Sequence, residues 1–282
     1  MGWMLTEDAE AFHSEAAAVL AADPGAHSVL LTVLETVRRH GRHAYAEGVP
    51  WFGTWRDPAG GAAVALATPP YPVALGSMPP IAAAELAGAL RESGRRTSGV
   101  RGEREAATAF ATAWCGLATG WRVARDERRY LLAELVPPDR PVPGRARHAG
   151  PAYRALLLTW FAAFLAETQS PVGRDVTGMV DQRLAAGLVT LWEDGGEPVA
   201  MAGRSALLAG MVRVGPVYTP PEHRRRGYAA AVTHAVSAAA LDGGAEQVLL
   251  YTDLANPTSN GVYQRLGYRA VADEVSLAFD AD

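Results

Sequence analysis

The residues with the clearest chemical potential lie between Val217 and Ala230. Val217, Tyr218 and Thr219 close an apolar run that reads as a strand. Pro220 and Pro221 stop it, because proline gives no N–H to a ladder. Arg224, Arg225 and Arg226 follow, then Gly227. Tyr228, Ala229 and Ala230 open an alanine-rich helix. The first N–H groups of a helix have no partner within it and carry partial positive charge. A strand, a short basic turn with glycine and a helix start together make a phosphate cradle. A second cluster, Asn256, Asn260 and Tyr263, has spacings of four and three residues, which put all three on one helix face. Asn256 can cap that helix, Pro257 suits its first position, and Gly267 ends it.

The elements that must position these groups need a sizeable core. The chain has 282 residues, 49% hydrophobic and 20% charged, enough for one large domain or two ordinary ones. Its net charge of −4 gives no global reason to bind nucleic acid, so the arginines near residue 224 are a local feature. All 26 basic residues are arginine, which excludes a lysine Schiff base and, with the abundant alanine, points to a GC-rich, bacterial genome. One cysteine, Cys115, rules out an intrachain disulfide and a cysteine-rich zinc site, and no metal-ligand cluster is evident. No run approaches about 18 consecutive apolar residues, and the N-terminus has no secretory pattern. The expectation is a cytoplasmic protein without a membrane or nucleic-acid partner.

The segment 137–144, with four prolines, is the expected linker between residues 1–136 and 145–282. In the second part, Arg145 to His148 reads as an edge strand and Pro151 to Thr168 as a helix. A second helix, capped by Asp175, follows. Strands are expected at Leu188–Glu193, Pro198–Ala206 and Leu207–Thr219, with Asp194-Gly195-Gly196 as a hairpin turn. Gly215-Pro216 predicts a bulge in the third of these. After the phosphate loop come a helix from Gly227 to Leu241, a buried strand at Glu246–Asp253, the helix carrying Tyr263, and two final strands, Tyr268–Ala272 and Glu274–Phe279.

The spacing Arg224-x-x-Gly227-x-Ala229 resembles the Q/R-x-x-G-x-G/A signature of the GNAT superfamily, the acetyl-CoA-dependent N-acyltransferases. The run from Asn256 through Tyr263 to Gly267 and Tyr268 resembles that family's N-x-x-[S/A]-x-x-x-Y-x-x-x-G-[F/Y]. Both motifs fall in residues 145–280, whose element order also matches. The resemblance implies an α/β fold (α+β by some schemes), with a mixed central sheet flanked by helices. It also implies acetyl-CoA as cosubstrate and no metal. The loop backbone from Arg224 to Ala230 would hold the pyrophosphate. Val217, Tyr218 and Thr219 would offer main-chain bonds to the pantetheine arm where their strand splays from its neighbour. Asn256 and Asn260 would contact the arm, and Tyr263 would protonate the leaving thiolate. The implied reaction is direct transfer of an acetyl group to a primary amine of a small molecule. The residues name no general base; Glu167, Glu193, Glu222, His148 and His223 are candidates. Two other readings stay open: another acyl or aminoacyl donor on the same scaffold, and a non-catalytic acyl-CoA-binding or interaction protein.

Residues 1–136 share only element order with that family. Helices are expected at Thr6–Ala22, Ser28–Tyr45, Pro80–Arg91 and Gly102–Leu117. Strands are expected at Trp51–Trp55, Ala62–Thr68, Val73–Gly76 and Thr97–Val100, with a pair at Trp121–Arg125 and Tyr130–Val136 joined by Asp126-Glu127-Arg128. At the place of a phosphate loop stands Leu75-Gly76-Ser77-Met78-Pro79-Pro80, with no arginine. This suggests a degenerate GNAT-like half, the alternative being an unrelated α/β or α+β domain. Its roles stay open: shaping an acceptor site with Trp51, Phe52, Trp55 and Tyr71, forming a homodimer, or stabilising its neighbour.

Overall fold

The computed structural model describes residues 2–45, 48–116, 120–168 and 176–280. The chain forms two compact units. The first comprises Met1–Arg129, Thr252–Asn256 and Ala270–Asp282, the second Tyr130–Tyr251 and Pro257–Arg269. The proline-rich segment 137–144 groups with the second unit. There Trp192 Nε1 donates to Pro143 O at 2.8 Å, and Arg265 pairs with Asp139 at 3.3 Å.

In the first unit the strands are β1 (Gly2–Thr6), β2 (Trp51–Arg56), β3 (Ala62–Ala67), β4 (Val73–Leu75) and β5 (Gly99–Glu103), with the first nine residues of β6 (Trp121–Leu132). The helices are α1 (Ala9–Ala22), α2 (Ser28–His40), α3 (Pro80–Glu92) and α4 (Arg104–Cys115). β1 to β4 pair in sequence, all antiparallel, and β4 lies parallel to β5. Alternation along the strands gives each face its own core. Trp51, Ala65, Val73 and Val100 pack with α3 and α4, whereas Phe52, Val64, Leu66 and Ala74 pack with α1 and α2. Trp51, Phe52 and Trp55 are thus core, and Tyr71 packs edge-on against Tyr45 at 6.1 Å. β1 was not anticipated, and Asp8, not Thr6, caps α1, its Oδ1 accepting from Glu10 N and Ala11 N.

The expected hairpin at residues 121–136 is instead one strand, β6. Asp126, Glu127 and Arg128 look like a charged turn, but each charge is compensated from elsewhere in the unit. Arg104 pairs with Asp126, Arg101 with Glu127 and Arg128 with Asp273. The chain's last strand is likewise single, β12 (Tyr268–Phe279), its residues 270–279 counting with the first unit. It runs antiparallel to β5, from Glu274 opposite Glu103 to Ala278 opposite Gly99.

The second unit contains β7 (Arg145–His148), α5 (Arg154–Glu167), α6 (Val176–Ala185), β8 (Val189–Asp194), β9 (Glu197–Arg204), β10 (Met211–Tyr218), α7 (Tyr228–Asp242), β11 (Gln247–Asp253, to Tyr251 in this unit) and α8 (Pro257–Arg265). Strands run in the order β11-β10-β9-β8-β7, with β10 and β11 parallel and the others antiparallel. One face packs against α5 and α6 through Leu157, Trp160, Phe161, Val189, Leu191 and Met201. The other packs against α7 through Val212, Val214, Val232, Val236, Val248 and Leu250. β10 is shorter than expected, because Ala209 and Gly210 have positive φ and make a turn of residues 208–211. The expected cap Asp175 lies outside the described residues. Among the described residues no helix is long and apolar enough to cross a membrane.

Candidate active site in the second unit

β10 divides at Gly215-Pro216. Before it, Met211 to Val214 lie parallel to Gln247–Leu250 of β11. On the β9 side, Val214 pairs with Arg204, the register then shifts, and Val217 and Tyr218 pair with Ala202 and Met201. Pro216 has no N–H to give, so the ladder is interrupted where the sequence places proline. Val217 and Tyr218 therefore stay attached to β9 beyond the end of the register with β11. That frees one side of the strand for an extended ligand to use its backbone. Their side chains take opposite faces, Val217 toward the α7 core and Tyr218 against Trp160 at 6.2 Å. Thr219 Oγ1 is buried and makes no hydrogen bond.

The loop after β10 begins with a short helical turn, Pro221–His223, and reaches α7 through two left-handed residues, Arg225 (φ 63°) and Gly227 (φ 87°). Non-glycine residues seldom adopt that conformation, and where they do they concentrate at functional loops. Left-handed residues alternating with ordinary ones turn successive N–H groups to one side, as in an anion nest. Gly227 is the cap of α7 and has no side chain to bond the first N–H groups. The helix ladder opens with Ala231 N donating to Gly227 O at 3.0 Å. The N–H groups of Tyr228, Ala229 and Ala230 come before that first bond, at the end where the helix dipole favours an anion. A Cβ on Gly227 would also meet Val142 Cγ2 at 3.0 Å, so the loop is close-packed behind as well as open in front.

Side chains lock this loop in place. Tyr228 is 2% exposed and its hydroxyl donates to Asp194 Oδ2, pinning the start of α7 to the β8–β9 turn. Arg224 is committed too. Its Nε donates to Thr219 O at 2.9 Å, its Nη2 reaches both oxygens of Glu167 at 2.6 and 2.8 Å, and its guanidinium lies 5.9 Å from the Tyr218 ring centre. Arg224 thus shapes the loop through its side chain. Arg225 and Arg226 are exposed beside the helix start.

α8 carries the second cluster. Asn256 stands immediately before it, its N–H donating to Asp253 O at 3.1 Å, while Asp253 Oδ1 accepts from Ala255 N at 2.7 Å. Asn260 Oδ1 accepts from the Tyr130 hydroxyl at 2.9 Å, and the Tyr130 hydroxyl oxygen in turn accepts from Gln264 Nε2 at 3.1 Å. Two turns of α8 are thereby tied to the end of β6. Tyr263 is half-buried, and its ring stands edge-on to Tyr268 at 6.2 Å. Burial pushes its phenol up to about 12. A phenol so raised is protonated throughout the neutral range and is a proton donor rather than a base. Gly267 ends the helix with φ 94°, and a Cβ there would sit 1.7 Å from Glu134 O, so both conformation and space demand glycine.

Of the carboxylates considered as bases, Glu167 is spent on Arg224 and Glu222 is exposed. Glu193 is 4% exposed at the β8 irregularity. It accepts from the Tyr153 hydroxyl at 2.6 Å and faces Arg147 Nη1 at 3.3 Å. The Tyr153 bond first, and then the Arg147 charge, hold its carboxyl below the usual range. Such a group is a weak base and an effective anchor. Tyr153 and Arg147 were missed by sequence reasoning, since nothing local marks them as partners of a residue 40 and 46 positions away, respectively. His148 is exposed, and His223 Nδ1 is buried without a hydrogen bond.

This geometry matches what comparison with known proteins finds. Residues 195–277 match the family model described as FR47-like protein, which covers the loop, α7, β11 and α8. Among solved structures, an acetyltransferase from the GNAT family of Colwellia psychrerythraea superposes with a TM-score of 0.58 at 13% identity, covering 99% of this chain and 100% of that one. The chain has the GNAT fold. A GCN5-related N-acetyltransferase from Kribbella flavida gives a TM-score of 0.54 at 21% identity, over 78% of this chain and 87% of that one. One from Sphaerobacter thermophilus gives 0.52 at 18%, over 98% and 94%. No curated protein matches the chain at a significant level.

Proposed function

We propose that this chain is an N-acetyltransferase whose second unit binds acetyl-CoA and passes the acetyl group directly to the primary amine of a small molecule. The observation that carries this reading is the conjunction, within one unit, of an uncapped helix start behind a left-handed glycine and a β10 that parts from β11 at Pro216. Acetyl-CoA would supply an activated thioester. The N–H groups from Arg225 to Ala230 would hold its pyrophosphate, and the backbone of Val217, Tyr218 and Thr219 would pair with the extended arm. A main-chain N–H near Val217 or Tyr218 would donate to the thioester oxygen as it gains charge. The neutral amine nitrogen forms the new bond to the carbonyl carbon, the C–S bond breaks, and Tyr263 gives its proton to the departing sulfur. The amine proton leaves to solvent or to a base, and Tyr263 is reprotonated from solvent. Asn256 and Asn260 would help seat the arm, and Asn260 also holds α8 in register.

The test is isothermal titration of acetyl-CoA into the wild-type chain and into Gly227→Glu. Micromolar binding that disappears in the variant supports the reading, and a screen of small amines with thiol release as readout then identifies the acceptor. A wild-type chain that binds no acetyl-CoA, with or without amines present, overturns it. Tight binding without turnover on any amine would favour a non-catalytic acyl-CoA-binding protein.

A further inference from the structure

The proline-rich segment of the second unit leaves a groove of about 630 Å³ between itself, α7 and the sheet. Small-molecule sites usually enclose about 300–1,000 Å³. Pro137, Pro138, Pro141 and Val142 line one part of it, and Ala231, His234 and Ala235 of α7 line another. Ala146 and Trp192, opposite each other on β7 and β8, line a third. Spacings of three and four residues put the α7 positions on one helix face. Two of those three, and Ala146 across from them, are alanines, and larger apolar side chains there would close the groove. The proline wall is held in shape as well. Proline fixes φ, Asp139 pairs with Arg265 at 3.3 Å, and Trp192 Nε1 donates to Pro143 O at 2.8 Å. A wall so restrained loses little freedom when a ligand binds.

The lining selects a chemical class. With its N–H already committed to Pro143, Trp192 offers a ligand ring surface, and the prolines offer flat apolar surface beside it. The described residues that line the groove include two arginines and no carboxylate. Arg145 stands in register opposite Glu193 and helps to lower that carboxyl's pKa. Arg140 is exposed and makes no ion pair among the described residues. A guanidinium in that state suits a carboxylate, which it can hold with two parallel bonds. Burial pushes the His234 imidazole down, so at neutral pH it adds a polar atom to the groove without adding charge. Flat apolar walls with cationic side chains and no acidic one complement an aromatic ring that carries one negative charge.

We propose that this groove binds a small aromatic carboxylate, its ring against Trp192 and the prolines and its carboxylate on Arg140. The site backs onto the phosphate loop through Val142, whose Cγ2 lies 3.0 Å from the place of a Cβ on Gly227, but it uses none of the loop's N–H groups. It does not depend on the acetyl-transfer reading, so each can fail without the other. The test is isothermal titration of the full-length chain with benzoate, phenylacetate and indole-3-acetate, each beside its uncharged amide, and with acetate as the control without a ring. At least one acid should saturate one site per chain, with its amide and acetate at least about fivefold weaker. Arg140→Gln, at an exposed position, should weaken that acid by about fivefold or more and leave its amide unchanged. Ala235→Phe, which fills the groove, should weaken acid and amide alike by about tenfold or more. If Ala235→Phe does not fold, Arg140→Gln carries the test. The acid should also bind when acetyl-CoA is saturating. No saturable binding, amides or acetate that bind as tightly as the acids, or affinity unchanged in Arg140→Gln would each overturn the proposal. So would competitive displacement by acetyl-CoA, which would make the groove part of the cofactor site. A chain that binds the acid but no acetyl-CoA would sink the acetyl-transfer reading and leave this one standing.

Discussion

The segments that lead from β4 into α3 and from β10 into α7 follow one plan with opposite chemistry. Each is a strand, a short loop and a helix. Before α7 stand left-handed Arg225 and Gly227, with no side chain over the first N–H groups. Before α3 stand Pro79 and Pro80, neither of which has an N–H, and Ala82 N and Ala83 N both turn back to Pro79 O at 3.0 and 3.4 Å. The one glycine there, Gly76, bonds Val64 O at 2.8 Å and lies under the His27 ring. The following helices repeat the contrast. Both α4 and α8 end on a glycine with positive φ, Gly116 and Gly267. Four residues before each glycine stands Thr112 in α4 and Tyr263 in α8. The helix-ending glycine is present in both units, while the left-handed helix start and the phenol occur at these positions in only one. One plan can thus carry different side-chain chemistry, set by few residues.

The largest effect expected from breaking this contrast is on turnover. Tyr263→Phe should lower kcat by about 10²–10⁴-fold, the usual worth of a positioned acid, with little change in acetyl-CoA affinity. Steady-state rates and titration on one sample check it. The same phenol also makes a stability prediction. Its pKa is raised from 10.0 to about 12. Between those values the unfolded chain releases this proton and the folded chain keeps it, so stability is complete below pH 10 and falls as pH rises toward 12. Urea midpoints measured across that window should fall less steeply in Tyr263→Phe.

Next in size, Gly227→Glu should weaken acetyl-CoA binding by at least about 100-fold, or about 2.7 kcal/mol. Gly227→Asn tolerates the left-handed φ and adds no charge, and it should lose less. Equal losses would mean that the bulk of an added side chain, not its charge, closes the cradle. The matching change in the first unit is Gly76→Ala. Its Cβ would meet the His27 ring at 2.8 Å and Val64 O at 2.9 Å. It should cost about 1–3 kcal/mol of stability, as overpacking does, with acetyl-CoA affinity unchanged. A loss of affinity there would show that the two loops are not independent. Arg224→Ala removes an exposed ion pair with Glu167 and should cost about 1 kcal/mol or less by chemical denaturation.

Much of the second unit was legible because its signals are local. Asp194-Gly195-Gly196 marks a hairpin, Gly215-Pro216 a bulge, and Gly227 and Gly267 the ends of helices by conformations only glycine holds well. β6 was misread because Asp126-Glu127-Arg128 is turn-like in composition, and its partners Arg101, Arg104 and Asp273 are far off in sequence. The same distance hid Tyr153 and Arg147 behind Glu193, Asp194 behind Tyr228, and Tyr130 behind Asn260. Long-range polar pairs have no periodicity, so a single sequence does not announce them.

The pairing of β5 with β12 sets an order of events during synthesis. β5 is made near residue 100, but the strand that covers its edge is not available until residues 274–278 have left the ribosome. Until then β5 presents an unpaired ladder edge to any other chain that can add a strand. The first unit therefore matures last although it is made first. A fragment ending at residue 136 would keep that edge open and aggregate, and adding the 270–280 segment back as a peptide should restore its solubility.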